Sequence, residues 1–226
     1  MRSLEPELRA GLRALSLGLT DGQVGLLLDY LALIQKWNKV YNLTALRDPA
    51  LMLSHHLLDS LAVIPALQRQ LALTPSAVVG RPLRLLDVGA GAGLPGVVIA
   101  ICCPGVGVDC VDAVAKKAAF IQQVALALKL PNLRGLHARV ESLGGQQSGY
   151  DVVVSRAFAA LSDFVTWSAD ALAPGAVWLA MKGKTPDEEL AQLPAGVEAF
   201  HVEPLVVPGL DAQRCLVWLR KVAAST

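Results

Sequence analysis

The segment LLDVGAGAGLPG, residues 85–96, carries two overlapping glycine patterns that point to different chemistry. Read from Gly91, it fits G-x-G-x-x-G, the spacing with which a strand-to-helix turn binds the pyrophosphate of a dinucleotide. Read from Asp87, it fits D-x-G-x-G-x-G, which suggests a nucleoside-type methyl donor. Because glycine tolerates unusual backbone angles and lets a ligand approach the main chain closely, both patterns predict a ligand-binding turn.

The acidic residue in front of the glycines separates the two ligands. A dinucleotide places its anionic pyrophosphate at the helix N-terminus, where the carboxylate of Asp87 would repel it. S-adenosylmethionine has no phosphate, and its sulfonium and amino groups are both positive. Asp112, about 20 residues further on, is placed to accept hydrogen bonds from a ribose diol, which both cofactors contain. The segment favours S-adenosylmethionine, with a nicotinamide dinucleotide or a ligand-free structural turn as alternatives.

Short apolar runs alternate with helical stretches from residue 83 onward. The predicted strands are Leu83–Val88, Val106–Val111, Leu133–Ala138, Tyr150–Ser155, Ala176–Met181, Val197–Val207 and Cys215–Val222. The predicted helices are Leu94–Cys103, Ala115–Leu130 and Phe158–Leu172. Continuous apolar strands between helices indicate an α/β fold with a parallel sheet buried on both faces. The last two strands lack a clear helix between them, which predicts an antiparallel hairpin at the sheet edge.

The first 82 residues have a helical pattern instead. Apolar side chains recur at helical spacing from Leu26 to Trp37, and Thr20 or Asp21 is placed to cap the start of that helix. Asp48 and Pro49 open a second helical pattern, which continues to about residue 71. We therefore expect a helical N-terminal region over 1–82 and a ligand-binding domain over 83–226.

The composition limits the partners and the compartment. The net charge is only +1, so any contact with RNA must come from a local basic patch. No apolar run reaches the 18–20 residues or so that span a bilayer, and the N-terminus does not read as a secretory signal. The four cysteines have no metal-binding spacing, and the adjacent pair His55-His56 has no Cys or Asp at ligand spacing. We expect a cytoplasmic protein with packed thiols, no metal and no membrane contact.

Seven stretches in fixed order resemble a known family. They are KWNKVYNLTALRDP (36–49), HLLDSL (56–61), LLDVGAGAGLPG (85–96), VDAVAKKAAF (111–120), ARVESL (138–143), VVSRAFAAL (153–161) and MKGK (181–184). Nearly the whole chain is thereby similar to the bacterial small-subunit ribosomal RNA guanine-N7 methyltransferases, the RsmG or GidB family. The resemblance implies a Rossmann-like seven-stranded methyltransferase fold with a helical N-terminal extension. It also implies S-adenosylmethionine as cofactor and N7 of one guanine in the decoding region of 16S ribosomal RNA as acceptor.

The predicted cofactor site combines both lines of reasoning. By position in the family's motifs, the resemblance implies contacts from Gly89, Gly91, Leu94, Asp112, Val140, Glu141 and Arg156. The glycine pattern adds Asp87, Ala90 and Gly93. A nicotinamide-dependent oxidoreductase and a non-catalytic ribosome-associated factor are the alternative functions.

The chemistry of N7 methylation predicts few catalytic groups. N7 of a neutral guanine has a free lone pair, so no general base is required and the enzyme mainly orients the reactants. Arg156 is the predicted catalytic residue, donating to guanine O6 and leaving N7 free, because a bidentate grip on O6 and N7 would block the reaction. Phe158 either stacks on the base or packs in the core.

The basic residues near the expected site are predicted to contact RNA phosphates. They are Lys36, Lys39, Arg47, Lys116, Lys117, Arg139, Lys182 and Lys184. A solvated charged face is the alternative for each of them. The expected partner is 16S ribosomal RNA within the small subunit, and the expected oligomeric state is a monomer.

Overall fold

Seven strands form a single mixed sheet in the computed structural model, which describes residues 1–74, 81–143 and 149–222. The strands are β1 (Leu83–Val88), β2 (Val106–Asp112), β3 (Leu133–His137), β4 (Tyr150–Arg156), β5 (Leu172–Lys182), β6 (Val197–Leu205) and β7 (Arg214–Lys221). Their order is β3-β2-β1-β4-β5-β7-β6. β1 to β5 pair in parallel, whereas β7 pairs antiparallel with both β5 and β6. The predicted parallel sheet with an antiparallel hairpin at its edge is confirmed.

The helices lie before and between these strands. They are α1 (Glu5–Ala14), α2 (Asp21–Tyr41), α3 (Pro49–Ala72), α4 (Gly96–Cys102), α5 (Ala115–Ala127), α6 (Leu161–Ser168) and α7 (Asp187–Leu190). The predicted start of α6 at Phe158 is wrong. Ala157 has a φ of 50° and Ala160 is extended, so the chain enters this helix only at Leu161.

Local side-chain caps explain where the N-terminal helices begin. Thr20 and Gln23 form a reciprocal capping box at the start of α2, as the position of Thr20 predicted. Asp48 accepts a hydrogen bond from the Ala50 N–H at the start of α3, with Pro49 in the first turn. α3 is π-helical over Leu53–Leu58, and such segments are frequent at functional sites.

The N-terminal helices share an apolar core with one face of the sheet. Leu31 of α2 and Leu57 of α3 belong to the same buried cluster as Leu85 of β1 and Val152 of β4. The next residues along these strands, Leu86 and Val153, point into a second cluster on the opposite face, together with Phe164 and Trp178. The sheet is therefore buried on both faces, as its continuous apolar strands predicted.

α3 is long and apolar enough, by length and composition alone, to cross a membrane. However, 78% of its most apolar 18-residue segment is buried inside the protein, as expected for a core helix.

The four cysteines, Cys102, Cys103, Cys110 and Cys215, are free and buried. They pack as small apolar side chains, as predicted.

Candidate active site

The glycine-rich turn joins the end of β1 to the start of α4. Gly89, Gly91 and Gly93 have φ values of 66°, 59° and 87°, which residues other than glycine rarely adopt. A Cβ on Gly89 would also collide with the ring of Phe158. The turn lies where β1 separates β2 from β4, the switch point at which doubly wound sheets bind their ligands.

Asp87 supports this turn from below. Its side chain is fully buried, and its Oδ2 accepts a hydrogen bond of 2.8 Å from the N–H of Gly96, the first residue of α4. Burial raises the pKa of Asp87 to about 7, although the Gly96 bond opposes the rise. Asp87 lines neither of the cavities described below, so the structure shows it supporting the turn, and its predicted direct contact with the cofactor stays a prediction.

Gly93 also faces the protein interior. A Cβ there would collide with Val97 and lie 3.4 Å from the hydroxyl of Tyr30. The Tyr30 hydroxyl itself donates to the Ala92 carbonyl at 2.6 Å. Gly93 lines neither cavity and is seen only in this packing role, so its predicted cofactor contact stays a prediction.

One cavity, of about 370 Å³, opens at the carboxyl end of β2 and is called the Asp112 cavity. Asp112 Oδ2 accepts from the Gly91 N–H at 3.0 Å, and Oδ1 accepts from the Val114 N–H at 2.8 Å. Because an ionised carboxylate offers about four acceptor positions, Asp112 keeps capacity for further hydroxyl donors. The predicted cofactor residues in this lining are Gly89, Asp112, Val140 and Glu141.

Apolar side chains complete the Asp112 cavity. Phe158 and Trp167 line it with Val140, and the two rings meet edge-on at 5.8 Å between centroids. Phe158 also packs edge-on against the buried Phe164. A carboxylate beside an apolar wall fits the ribose and the base of a nucleoside. Phe158 therefore lines the Asp112 cavity rather than the Arg156 cavity described next.

A second cavity, of about 490 Å³, adjoins the first and is called the Arg156 cavity. Gly89 and Ala157 line both cavities, so the two meet at these residues. The remaining lining comes from Leu43, Thr44, His55, His56, Asp59, Ala90, Gly91, Ala92, Leu94, Arg156, Met181, Lys182, Gly183 and Arg214. The predicted residues Ala90, Gly91, Leu94 and Arg156 are thus on this side of the junction.

An ion cluster forms one wall of the Arg156 cavity. Asp59, which is 3% exposed, accepts from Arg156 Nη1 through Oδ2 and from Arg214 Nε through Oδ1, each at 2.8 Å. Arg156 Nη1 also donates to the His55 carbonyl at 3.1 Å. Both Nη1 protons are used in these bonds, and Nη2 has no hydrogen-bond partner among the residues described. The cluster carries one net positive charge and leaves donors for a ligand.

His56 is a neutral group beside this cluster. Its Nε2 lies 2.8 Å from the Thr44 hydroxyl, and burial lowers the pKa of the imidazole to about 4. Nδ1 is buried without a hydrogen-bond partner in the described part of the chain. Within residues 1–74, 81–143 and 149–222, no group of three His, Cys, Asp or Glu side chains is placed to hold a metal ion.

The predicted RNA-binding residues divide into an exposed group and a group paired with carboxylates; within the exposed group Arg47 donates to the side chain of Asn42. The side chains of Lys36, Lys39, Arg47, Lys116, Arg139 and Lys184 are exposed. Lys182 differs, because its ammonium group is bonded to both oxygens of Glu189 and to the Ala159 carbonyl. A phosphate contact by Lys182 would compete with this pairing, and that contact stays a prediction. The ammonium of Lys117 lies 3.5 Å from the Asp112 carboxylate, so its charge is also partly satisfied inside the protein.

The comparisons with known proteins identify the family. The family model described as rRNA small subunit methyltransferase G matches residues 23–217. The chain belongs to this GidB family. Relatives named ribosomal RNA small subunit methyltransferase G include one from Polaromonas sp. JS666, 65% identical over 100% of this chain and 97% of the relative. Another, from Albidiferax ferrireducens, is 66% identical over 99% of this chain and 100% of the relative.

Solved structures agree with the GidB family fold. TrmN from Thermus thermophilus aligns with a TM-score of 0.51 at 22% identity, over 69% of this chain and 48% of TrmN. A putative methyltransferase from Thermoplasma acidophilum aligns with a TM-score of 0.50 at 16% identity, over 64% of this chain and 70% of that one. The predicted Rossmann-like fold is confirmed. Family membership also confirms the predicted S-adenosylmethionine-dependent methyltransferase of ribosomal RNA and excludes the nicotinamide alternative.

Three residues of this GidB family site escaped the sequence-based prediction. Asp59 lies in the stretch HLLDSL, where the sequence suggested only that His56 packs with it or caps a helix, and not that it binds Arg156 and Arg214. Arg214 and Tyr30 gave no signal, because nothing in their local sequence distinguishes them from ordinary surface and core residues. The structure brings all three to the turn or the cavities from distant parts of the chain.

Proposed function

We propose that this protein transfers a methyl group from S-adenosylmethionine to N7 of one guanine in the decoding region of 16S ribosomal RNA. The observation that carries this proposal is the pair of adjoining cavities that meet at Gly89 and Ala157. One has the lining of a nucleoside site, and the other has free guanidinium donors. Donor and acceptor can therefore approach each other across the junction.

The Asp112 cavity is the proposed donor side. Asp112 accepts from the ribose hydroxyls, while Val140 and Phe158 cover the adenine. Glu141, Ala90, Gly91 and Leu94 contact the remainder of the cofactor around the junction. S-adenosylmethionine, when bound, supplies a methyl group on an electrophilic sulfonium.

The Arg156 cavity is the proposed acceptor side. Arg156 is held by Asp59 and the His55 carbonyl, so its Nη2 donates to guanine O6 while N7 stays free. No proton has to leave N7 before methylation, so the site needs no general base. The neutral His56 agrees with this requirement, since it adds no positive charge beside a base that becomes cationic.

The exposed cations form the proposed RNA surface. Lys36, Lys39 and Arg47 flank the turn that brings Leu43 and Thr44 to the Arg156 cavity, and Lys184 follows Gly183 at its other side. Lys116 and Arg139 lie near the Asp112 cavity. We propose that these residues bind phosphates of the small subunit and that the protein acts as a cytoplasmic monomer.

Transfer of a labelled methyl group tests the proposal. Wild-type protein is mixed with labelled S-adenosylmethionine and small subunits from cells that lack this enzyme, and the modified base is mapped. We expect one labelled guanine in the decoding region and no label with Asp112→Ala. Naked 16S ribosomal RNA as acceptor shows whether the assembled subunit is required. Label on another base, or none despite cofactor binding, would contradict the proposed function.

A further inference from the structure

Tyr30 reaches the glycine-rich turn from the N-terminal helical region. It lies on α2 and its side chain is completely buried. Its hydroxyl donates to the Ala92 carbonyl at 2.6 Å and lies 3.1 Å from the Gly93 carbonyl. Burial raises the pKa of Tyr30, so the phenol keeps the proton that it donates. Tyr30, 62 positions before Ala92 in the sequence, thus fixes the backbone that joins the cavity-lining Gly91 to α4.

A second bond from the same helix holds the other end of α4. Gln23, two turns before Tyr30 on α2, donates through Nε2 to the Ile101 carbonyl at 2.9 Å. α2 therefore contacts α4 at both ends: Tyr30 at the turn that enters it, and Gln23 at its last carbonyls. Ala92, at the Tyr30 end, lines the Arg156 cavity, whereas Ile101 lines neither that cavity nor the Asp112 cavity.

We propose that Tyr30 is a positioning residue for the methyl donor. The turn contains three glycines with positive φ, and glycine loses more conformational freedom on folding than any other residue. Asp112 fixes the turn at the Gly91 N–H, and Tyr30 fixes it at the Ala92 carbonyl, so the segment between them is held at both ends. Without the hydroxyl, the turn would adopt the binding geometry in only a fraction of the protein molecules. The apparent affinity for the methyl donor would then fall in proportion to that fraction.

This inference rests on the proposed function, in which the turn binds S-adenosylmethionine. The test compares Tyr30→Phe, which keeps the buried ring, with Gln23→Ala, which removes the bond at the far end of α4 together with the side-chain half of the α2 capping box. Binding of S-adenosylhomocysteine is measured by calorimetry, well below the melting temperature of each protein. We expect Tyr30→Phe to bind about fivefold more weakly, the effect of losing one hydrogen bond. We expect Gln23→Ala to lower the melting temperature and leave the affinity unchanged.

Kinetics and hydrogen exchange give two further readouts. In Tyr30→Phe, the KM for S-adenosylmethionine should rise by the same factor, while kcat stays at the wild-type value. Without ligand, the amides of Gly93 and Leu94 should exchange faster in Tyr30→Phe than in wild type.

Three results would overturn the inference. Wild-type affinity in Tyr30→Phe would show that the hydroxyl does not position the turn. Equal weakening in Gln23→Ala would show that the effect is general loss of stability. If wild-type protein itself did not bind S-adenosylhomocysteine, the proposed function would fail first, and the inference with it.

Discussion

Asp59 illustrates, at the scale of single residues, how one buried carboxylate orients a site. It is the common partner of Arg156 and Arg214, whose positions in the sequence are 97 and 155 residues away. Two guanidinium groups this close repel each other, and the carboxylate between them offsets the repulsion. Its removal leaves two partly buried positive charges without a carboxylate partner.

We therefore expect Asp59→Ala to lower the free energy of unfolding by about 3 kcal/mol, the lower end of the cost of breaking a buried ion pair. The initial rate of methyl transfer should fall by at least about tenfold, because Arg156 loses the carboxylate that orients it. Urea denaturation and initial rates on small subunits measure the two effects. The control is Glu198→Ala, which breaks the exposed pair with Arg220 and should cost less than about 1 kcal/mol. Equal losses in both variants would contradict the role of Asp59.

Asp87 gives the free energy of unfolding a pH dependence with a defined sign. Its pKa is raised from 3.8 to about 7 in the folded protein, so the folded state binds more protons than the unfolded state between these values. The stability that Asp87 contributes is therefore fully present below about pH 4 and is lost as the pH rises through about 7. His56 has the opposite sign, because its pKa is lowered to about 4.

The variant Asp87→Asn should remove this decline. Its free energy of unfolding relative to wild type should be lower at about pH 5 than at about pH 8, since wild type loses the Asp87 contribution over that range. The contribution of His56 is common to both proteins and cancels in the difference. Urea titrations at the two pH values measure the effect. Parallel pH profiles for the two proteins would show that Asp87 does not titrate in this window.

At the scale of elements, the turn between β1 and α4 depends on Gly89. A Cβ there would collide with Phe158, and the φ of 66° would strain an alanine by about 1–2 kcal/mol. Because Gly89 lines both cavities, movement of Phe158 would also disturb the nucleoside side. We expect Gly89→Ala to weaken binding of S-adenosylhomocysteine at least tenfold or so, measured by calorimetry.

Gly105→Ala provides the matched control for this prediction. Gly105 lies between α4 and β2, does not have a positive φ, and has open space where the Cβ of an alanine would lie. The control should therefore bind S-adenosylhomocysteine as wild type does. If Gly89→Ala also kept wild-type affinity, the turn would tolerate a side chain at the junction and the proposed donor site would be misplaced.

The elements themselves were largely predictable, whereas the site was predictable only in part. Apolar runs and helical spacing located the strands, and the ends of β2 and β4 gave Asp112 and Arg156 because ligands bind at the carboxyl ends of parallel strands. No spacing encodes that Asp59 and Arg214 meet, since tertiary packing alone brings them together. The division at residue 82 stays a prediction, because the N-terminal helices share a core with the sheet.

At the scale of the whole molecule, the distribution of charge matters more than its sum. A net charge of +1 gives little general attraction to RNA, so binding must depend on where the exposed cations lie. Lys36 and Lys39 lie near the C-terminal end of α2, beside the turn that reaches the Arg156 cavity. Lys129 follows α5, at the opposite edge of the sheet from the carboxyl ends of the parallel strands.

The double variant Lys36→Gln and Lys39→Gln should therefore bind small subunits with a weaker salt dependence. Each lost phosphate contact lowers the slope of log affinity against log salt concentration by about 0.7–0.9, so the slope should fall by about 1.5. Binding is measured by filter retention over a range of salt concentrations, with Lys129→Gln as control. The control should keep the wild-type slope, because its charge lies far from both cavities. A slope unchanged in the double variant would place the RNA surface elsewhere on the protein, while an equal change in the control would mean that the attraction is not localised.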